Sequence, residues 1–112
     1  MKDDSVYLRH ILECIRRIEE DGAAGIEAFR ASHTLQDAIL RNLQVLAESS
    51  RRISIDLKAA WPQIDWKRIA AFRNVLVHDY LGLDLETVWG VTQRDIPELK
   101  KAVERILRES VM

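Results

Sequence analysis

Apolar side chains recur at intervals of three and four along most of this sequence, and that rhythm restricts the fold to packed helices. Leu8, Ile11, Leu12, Ile15 and Ile18 form one stripe. Leu35, Ala38, Ile39, Leu43, Leu46 and Ala47 form a second, and Ile96, Leu99, Val103, Ile106 and Leu107 a third. No stretch alternates apolar and polar residues as a half-buried strand does. The expected fold is all-α, an up-down bundle of about four main helices joined by short loops. A chain of 112 residues, 47% hydrophobic, can fill one core and not two, so one domain over residues 1–112 is expected.

Capping and breaking residues place the helix ends. Asp3, Asp4 and Ser5 are N-cap candidates for the first helix, and Gly22 is its expected left-handed cap. Ile26 to Arg30 is too short to assign. Ser32 or Thr34 can cap the second helix, expected to reach about Ile53, with His33 on the preceding loop. Trp61-Pro62-Gln63 interrupts the chain, because proline disfavours helical geometry in the residue before it. Asp65 then caps a helix from Trp66 to near His78, and Asp84 caps a short one after the following turn. Pro97 falls in the first turn of the last helix, where a missing amide does no harm, and Glu104 and Arg108 form an expected exposed pair four apart.

Charge excludes several kinds of function. Seventeen basic and 18 acidic residues give a formal net charge of -1, so no global field draws the chain to nucleic acid or to an anionic membrane. Phosphate binding would need a local cluster. One cysteine, Cys14, excludes an internal disulfide and reads as a packed core residue. No apolar run resembles a signal peptide or reaches the roughly 20 residues that span a bilayer, so a soluble cytoplasmic protein is expected.

Residues 66–80 stand apart. Trp66, Ile69, Ala70, Phe72, Val75, Leu76 and Val77 go round most of the helix circumference, so this element is expected to be buried on more than one side. One side can face its own bundle and the other a second copy of the protein. Within eight residues the stretch also carries Arg73, Asn74, His78 and Tyr80, polar groups that need partners or a task. Asn42 and Glu48 on the second helix are candidates to meet them.

The spacing bears on the chemistry. Asn74 and His78, four apart, share a helix face, so the amide can orient the imidazole. Arg73 and His78, five apart, diverge by about 140° on an ideal helix. Either the helix loosens before His78, or two copies meet across a two-fold axis and share a cleft; the all-round apolarity favours the second. Arginine offers a fork of donors to phosphate oxygens and to charge developing in a transition state. Histidine can take a proton from a ribose 2′-hydroxyl or give one to a leaving oxygen. The pair suits RNA cleavage without a metal. Lys67, Arg68, Arg51 and Arg52 can add backbone contacts or stand as ordinary surface charges. Without chemistry, Arg73 reads as an ion-pairing residue, His78 as a C-terminal helix cap and Tyr80 as a packed aromatic.

Arg73-Asn74-Val75-Leu76-Val77-His78-Asp79-Tyr80 resembles the arginine, four residues, histidine, any residue, tyrosine motif of HepT-like toxins in the HEPN superfamily. The flanks agree: Trp66 before the arginine, Gly82-Leu83-Asp84 and Val88-Trp89 after the tyrosine, and Asp95-Ile96-Pro97-Glu98-Leu99-Lys100 beyond. Tyr7 to Leu12 and Asp37 to Leu43 also look like the family, so the resemblance covers nearly the whole chain. Ala70-Ala71-Phe72 departs from the smaller residue and methionine often found before the arginine, which bears on packing and on no catalytic position.

The resemblance implies a homodimeric, metal-independent endoribonuclease with its cleft between two protomers and the motif helix at the interface. Arg73 and His78 would be catalytic, with Asn74 supporting, and no cofactor is implied. Such proteins are the toxin half of type VII toxin–antitoxin pairs. The resemblance also implies a partner, a minimal nucleotidyltransferase similar to MntA, which transfers AMP to the motif tyrosine, here Tyr80. The alternative is a non-catalytic helical module that binds a nucleotide or a partner protein.

Overall fold

The computed structural model describes residues 3–77 and 84–110; the side chains at 74–77 and 110 lie outside that description. Four long helices and three short ones account for the described chain: α1 (Asp4–Gly22), α2 (Ile26–Ala31), α3 (His33–Arg51), α4 (Ile55–Ala60), α5 (Trp66–Val77), α6 (Leu85–Gly90) and α7 (Ile96–Ser110). There is no strand among the described residues. The fold is the all-α bundle that the stripes require.

Side-chain caps start most of the helices. Asp3 accepts the Ser5 amide at 2.9 Å, Ser32 accepts Leu35 and Ser54 accepts Leu57, each at 3.1 Å, and Asp65 accepts Arg68 at 3.0 Å. Asp84 accepts the amides of Glu86 and Thr87 and the Thr87 hydroxyl, which holds its carboxyl below the ordinary range.

Some expected boundaries need correction. α1 ends through Ala23 in right-handed geometry, and the left-handed residue is Gly25, with φ 92°, which turns the chain into α2. α3 stops at Arg51, two residues short of Ile53, and His33 is its first residue, not part of a loop. α6 and α7 are not separate: a wide π turn, Val91–Asp95, joins them into one run. There the Ile96 amide donates to the Val91 carbonyl, five residues back. In a tighter turn the Pro97 ring would meet the carbonyl four residues behind it, and the wider turn relieves that crowding. Among the described ion pairs of α7 is Arg105–Glu109, not Glu104–Arg108.

α1 packs chiefly on α3, α3 on α5, and α7 on α1. Their apolar stripes merge into one core in which Ile11, Ile15, Phe29, Ile39, Leu46, Val103 and Ile106 are fully buried. Cys14 belongs to this core, and burial raises its thiol pKa, as for an unreactive packed cysteine. Asp4, at the start of α1, accepts the amide and hydroxyl of Ser54, just past the end of α3, so these two helices run antiparallel. Lys100, near the start of α7, reaches Glu19, near the end of α1, which makes that pair antiparallel too. Arg30 of α2 pairs with Glu86 of α6, and Phe29 stacks on Trp89. No helix among the described residues is long and apolar enough to cross a membrane.

Candidate functional site

α5 places Arg73 over α3. Ile69 and Phe72 turn into the core, while Lys67, Arg68 and Arg73 are exposed. The burial expected on a second side falls on Val75, Leu76 and Val77, whose side chains lie outside the described residues. Arg73 keeps 51% of its side chain exposed, and its Nη1 stands 2.8 Å from Glu48 Oε1. That oxygen is closed off from solvent, yet no N–H is aimed at it to form a hydrogen bond. Arg51, one helical turn on, adds a second cation at 3.7 Å. Glu48 therefore anchors the arginine by charge, and among the described residues no second carboxylate pairs with the guanidinium.

These residues border a cleft of about 540 Å³ between α1, α3 and α5. Tyr7 and His10 of α1 form one wall, their rings edge to face with centroids 6.3 Å apart. Arg41, Gln44, Val45, Glu48 and Ser49 of α3 form the floor, with Arg52 at one end and Arg73 above. Three guanidinium groups thus face one carboxylate around a single opening. This is the local basic cluster that a chain of net charge -1 needs in order to hold a phosphate.

Of the residues singled out in the sequence, Arg73 and Arg52 come together here, and Glu48 joins them. Asn42 does not: its amide donates to the Ala38 carbonyl of its own helix at 3.0 Å. Arg68 is engaged elsewhere, in a two-pronged pair with Asp95 at 2.7 and 2.8 Å. Asn74 lies on α5 with its side chain outside the described residues, and His78 and Tyr80 lie outside them altogether. Tyr7, His10 and Arg41 were not singled out for the site. For Arg41 the signal was nonetheless present: Arg41, Glu48 and Arg52 are seven and four apart, one face of a helix.

A family model described as ribonuclease HepT-like matches residues 11–106, which takes in α1 from Ile11 onward, the floor of the cleft and the whole motif. The chain belongs to the ribonuclease HepT-like family. Within that family it is 36% identical over 101 residues to the probable ribonuclease HepT of Thermococcus cleftensis, covering 89% of this chain and 92% of that one. It is also 37% identical to a Methanocaldococcus jannaschii protein whose name begins with gamma-glutamylcyclotransferase; the match covers 96% of this chain and 49% of the other. This HepT-like chain thus spans about half the length of that relative. Among solved structures it resembles the tri-AMPylated HEPN toxin of Shewanella oneidensis, determined in complex with its MNT antitoxin. The TM-score is 0.70 at 26% identity, over 96% of this chain and 99% of that one. The HepT-like family is a ribonuclease family by name, and its helical fold is the one found here.

Proposed function

We propose that this HepT-like protein is a toxin that cleaves RNA without a metal ion, in a cleft formed between two protomers. The observation that carries the reading is Arg73, half exposed at the rim of a basic cleft and anchored from beneath by Glu48. Its guanidinium can grip a non-bridging phosphate oxygen and stabilise the charge that grows there as the 2′-oxygen attacks. His78 takes the 2′-hydroxyl proton. The attack closes a cyclic phosphate and expels the 5′-oxygen, which receives a proton from the imidazole of the second protomer. Asn74, one helical turn before His78, holds the ring in a productive orientation. The single domain spans residues 1–112.

Tyr80 is the proposed control point. The Shewanella oneidensis toxin is AMPylated and sits with an MNT antitoxin. By likeness to it, an MntA-like minimal nucleotidyltransferase would add AMP to Tyr80. The added phosphates would repel RNA and compete for Arg73. Expression of Arg73→Ala or His78→Ala should relieve the growth arrest caused by the wild-type chain while the dimer persists. Undiminished arrest in both variants would reject the nuclease.

One observation favours a second reading. Arg73 already has an ion-pair partner, as a purely structural arginine would. A non-catalytic module of that kind would bind a nucleotide or the partner protein and leave RNA intact at every salt concentration.

A further inference from the structure

We infer that the cleft beside Arg73 is a track for the phosphates of a single RNA strand, with Arg41 and Arg52 as its two anchoring cations. The inference rests on the ribonuclease reading and extends it to residues outside the motif. Both arginines face the cleft from one side of α3 and its C-cap, with Glu48 between them. At 1.5 Å of rise per residue, the eleven positions from Arg41 to Arg52 span about 16 Å, longer than one mononucleotide and suited to a stretch of strand. Both are exposed, and neither pairs with a described carboxylate, whereas Arg51, Arg68 and Arg73 each do. Glu48, the one acid lining the cleft among the described residues, is committed to Arg73 and Arg51. What faces solvent along the floor is therefore net positive in a chain that is slightly acidic overall. A polyanion is held there by its backbone, with little dependence on base sequence.

Binding is tested with a fluorescein-labelled 2′-O-methyl RNA oligomer, which lacks the nucleophile and stays intact. Anisotropy is followed from 50 to 300 mM salt on protein shown by mass spectrometry to carry no AMP. Arg41→Ala and Arg52→Ala should each weaken binding about three-fold or more at the middle of that range. Each should also lower the slope of log affinity against log salt by roughly 0.7, the amount for one phosphate contact on a single strand. Lys101→Ala, an exposed cation on α7, should bind as wild type does. Wild-type affinity and slope in both arginine variants, an equal loss in Lys101→Ala, or no binding by the wild type would overturn the track. Cleavage of ordinary RNA is scored separately. A wild type that cuts RNA while the arginine variants bind normally keeps the nuclease and removes the track; a wild type that binds through the two arginines and never cuts does the reverse.

Discussion

Arg73 Nη1 lies 2.8 Å from Glu48 Oε1 across the α3–α5 seam, and this contact ties the motif to the bundle. The carboxylate oxygen is shut away from solvent while the arginine remains half exposed.

Glu48→Gln removes that charge and keeps the shape. Stability should change by less than about 1 kcal/mol, because the pair is partly solvated. Cleavage should fall roughly ten-fold through kcat, as the arginine loses its orientation. Urea unfolding and steady-state kinetics on an RNA substrate check the two halves. Unchanged kcat would make Glu48 a bystander to Arg73.

The 140° divergence of positions 73 and 78 on an ideal helix yields a complementation prediction. Arg73→Ala and His78→Ala proteins, each inactive alone, should regain part of the activity when mixed and allowed to exchange subunits. Each mixed dimer then carries one intact arginine and one intact imidazole, on opposite chains; it keeps the base but lacks the second imidazole as acid, so the recovered rate should stay well below that of the wild type. No recovery in mixtures shown to contain mixed dimers would mean either that both groups act within one protomer or that both imidazoles are required, and a wild-type/His78→Ala mixed dimer, inactive only in the second case, separates the two.

Phe29 joins the short α2 to the main bundle. Its ring is fully buried, and its centroid lies 5.3 Å from that of Trp89. Phe29→Ala should cost about 3–5 kcal/mol, read from denaturant unfolding. A loss below 1 kcal/mol would mean that α2 is not part of the cooperative core.

Acid sensitivity follows from Glu13. The Arg16 guanidinium, which it bonds one turn away, pulls its carboxyl from the ordinary 4.5 down to about 2. A carboxyl lowered on folding stabilises the protein above its ordinary pKa and loses that contribution as pH falls through the folded value. The stability difference between wild type and Glu13→Gln should be constant at neutral pH and shrink between about pH 4.5 and 2. Its size will be small because both side chains are exposed. A difference that persists unchanged at pH 2 would contradict the assignment.

The helices were legible because periodicity and caps agree. Leu8 to Ile18 and Ile96 to Leu107 show unbroken three-four spacing, and Asp3, Ser32, Asp65 and Asp84 sit where amides need acceptors. The π turn before Pro97 was not legible: proline at a helix start and proline after a widened turn look alike in sequence. The motif was legible as a candidate site, of which the described residues include the Arg73 side chain, and Glu48 as a polar residue near an apolar stripe. Its partner was not, since only packing decides whether Glu48 or Asn42 meets α5. The cleft wall was hidden for the same reason. Tyr7 and His10 come to line the same cleft as Arg41 and Arg52 only when α1 lies antiparallel on α3, and no local pattern specifies that pairing.

The central claim is that one arginine and one histidine per chain cut RNA in a shared cleft. It is tested most directly by incubating purified, unmodified protein with a defined RNA in the presence of EDTA and resolving the products. The account predicts cleavage by the wild type, and a fall of roughly a hundred-fold or more in Arg73→Ala and in His78→Ala, with both variants still dimeric. Equal cleavage by all three proteins, or none by the wild type, would contradict it.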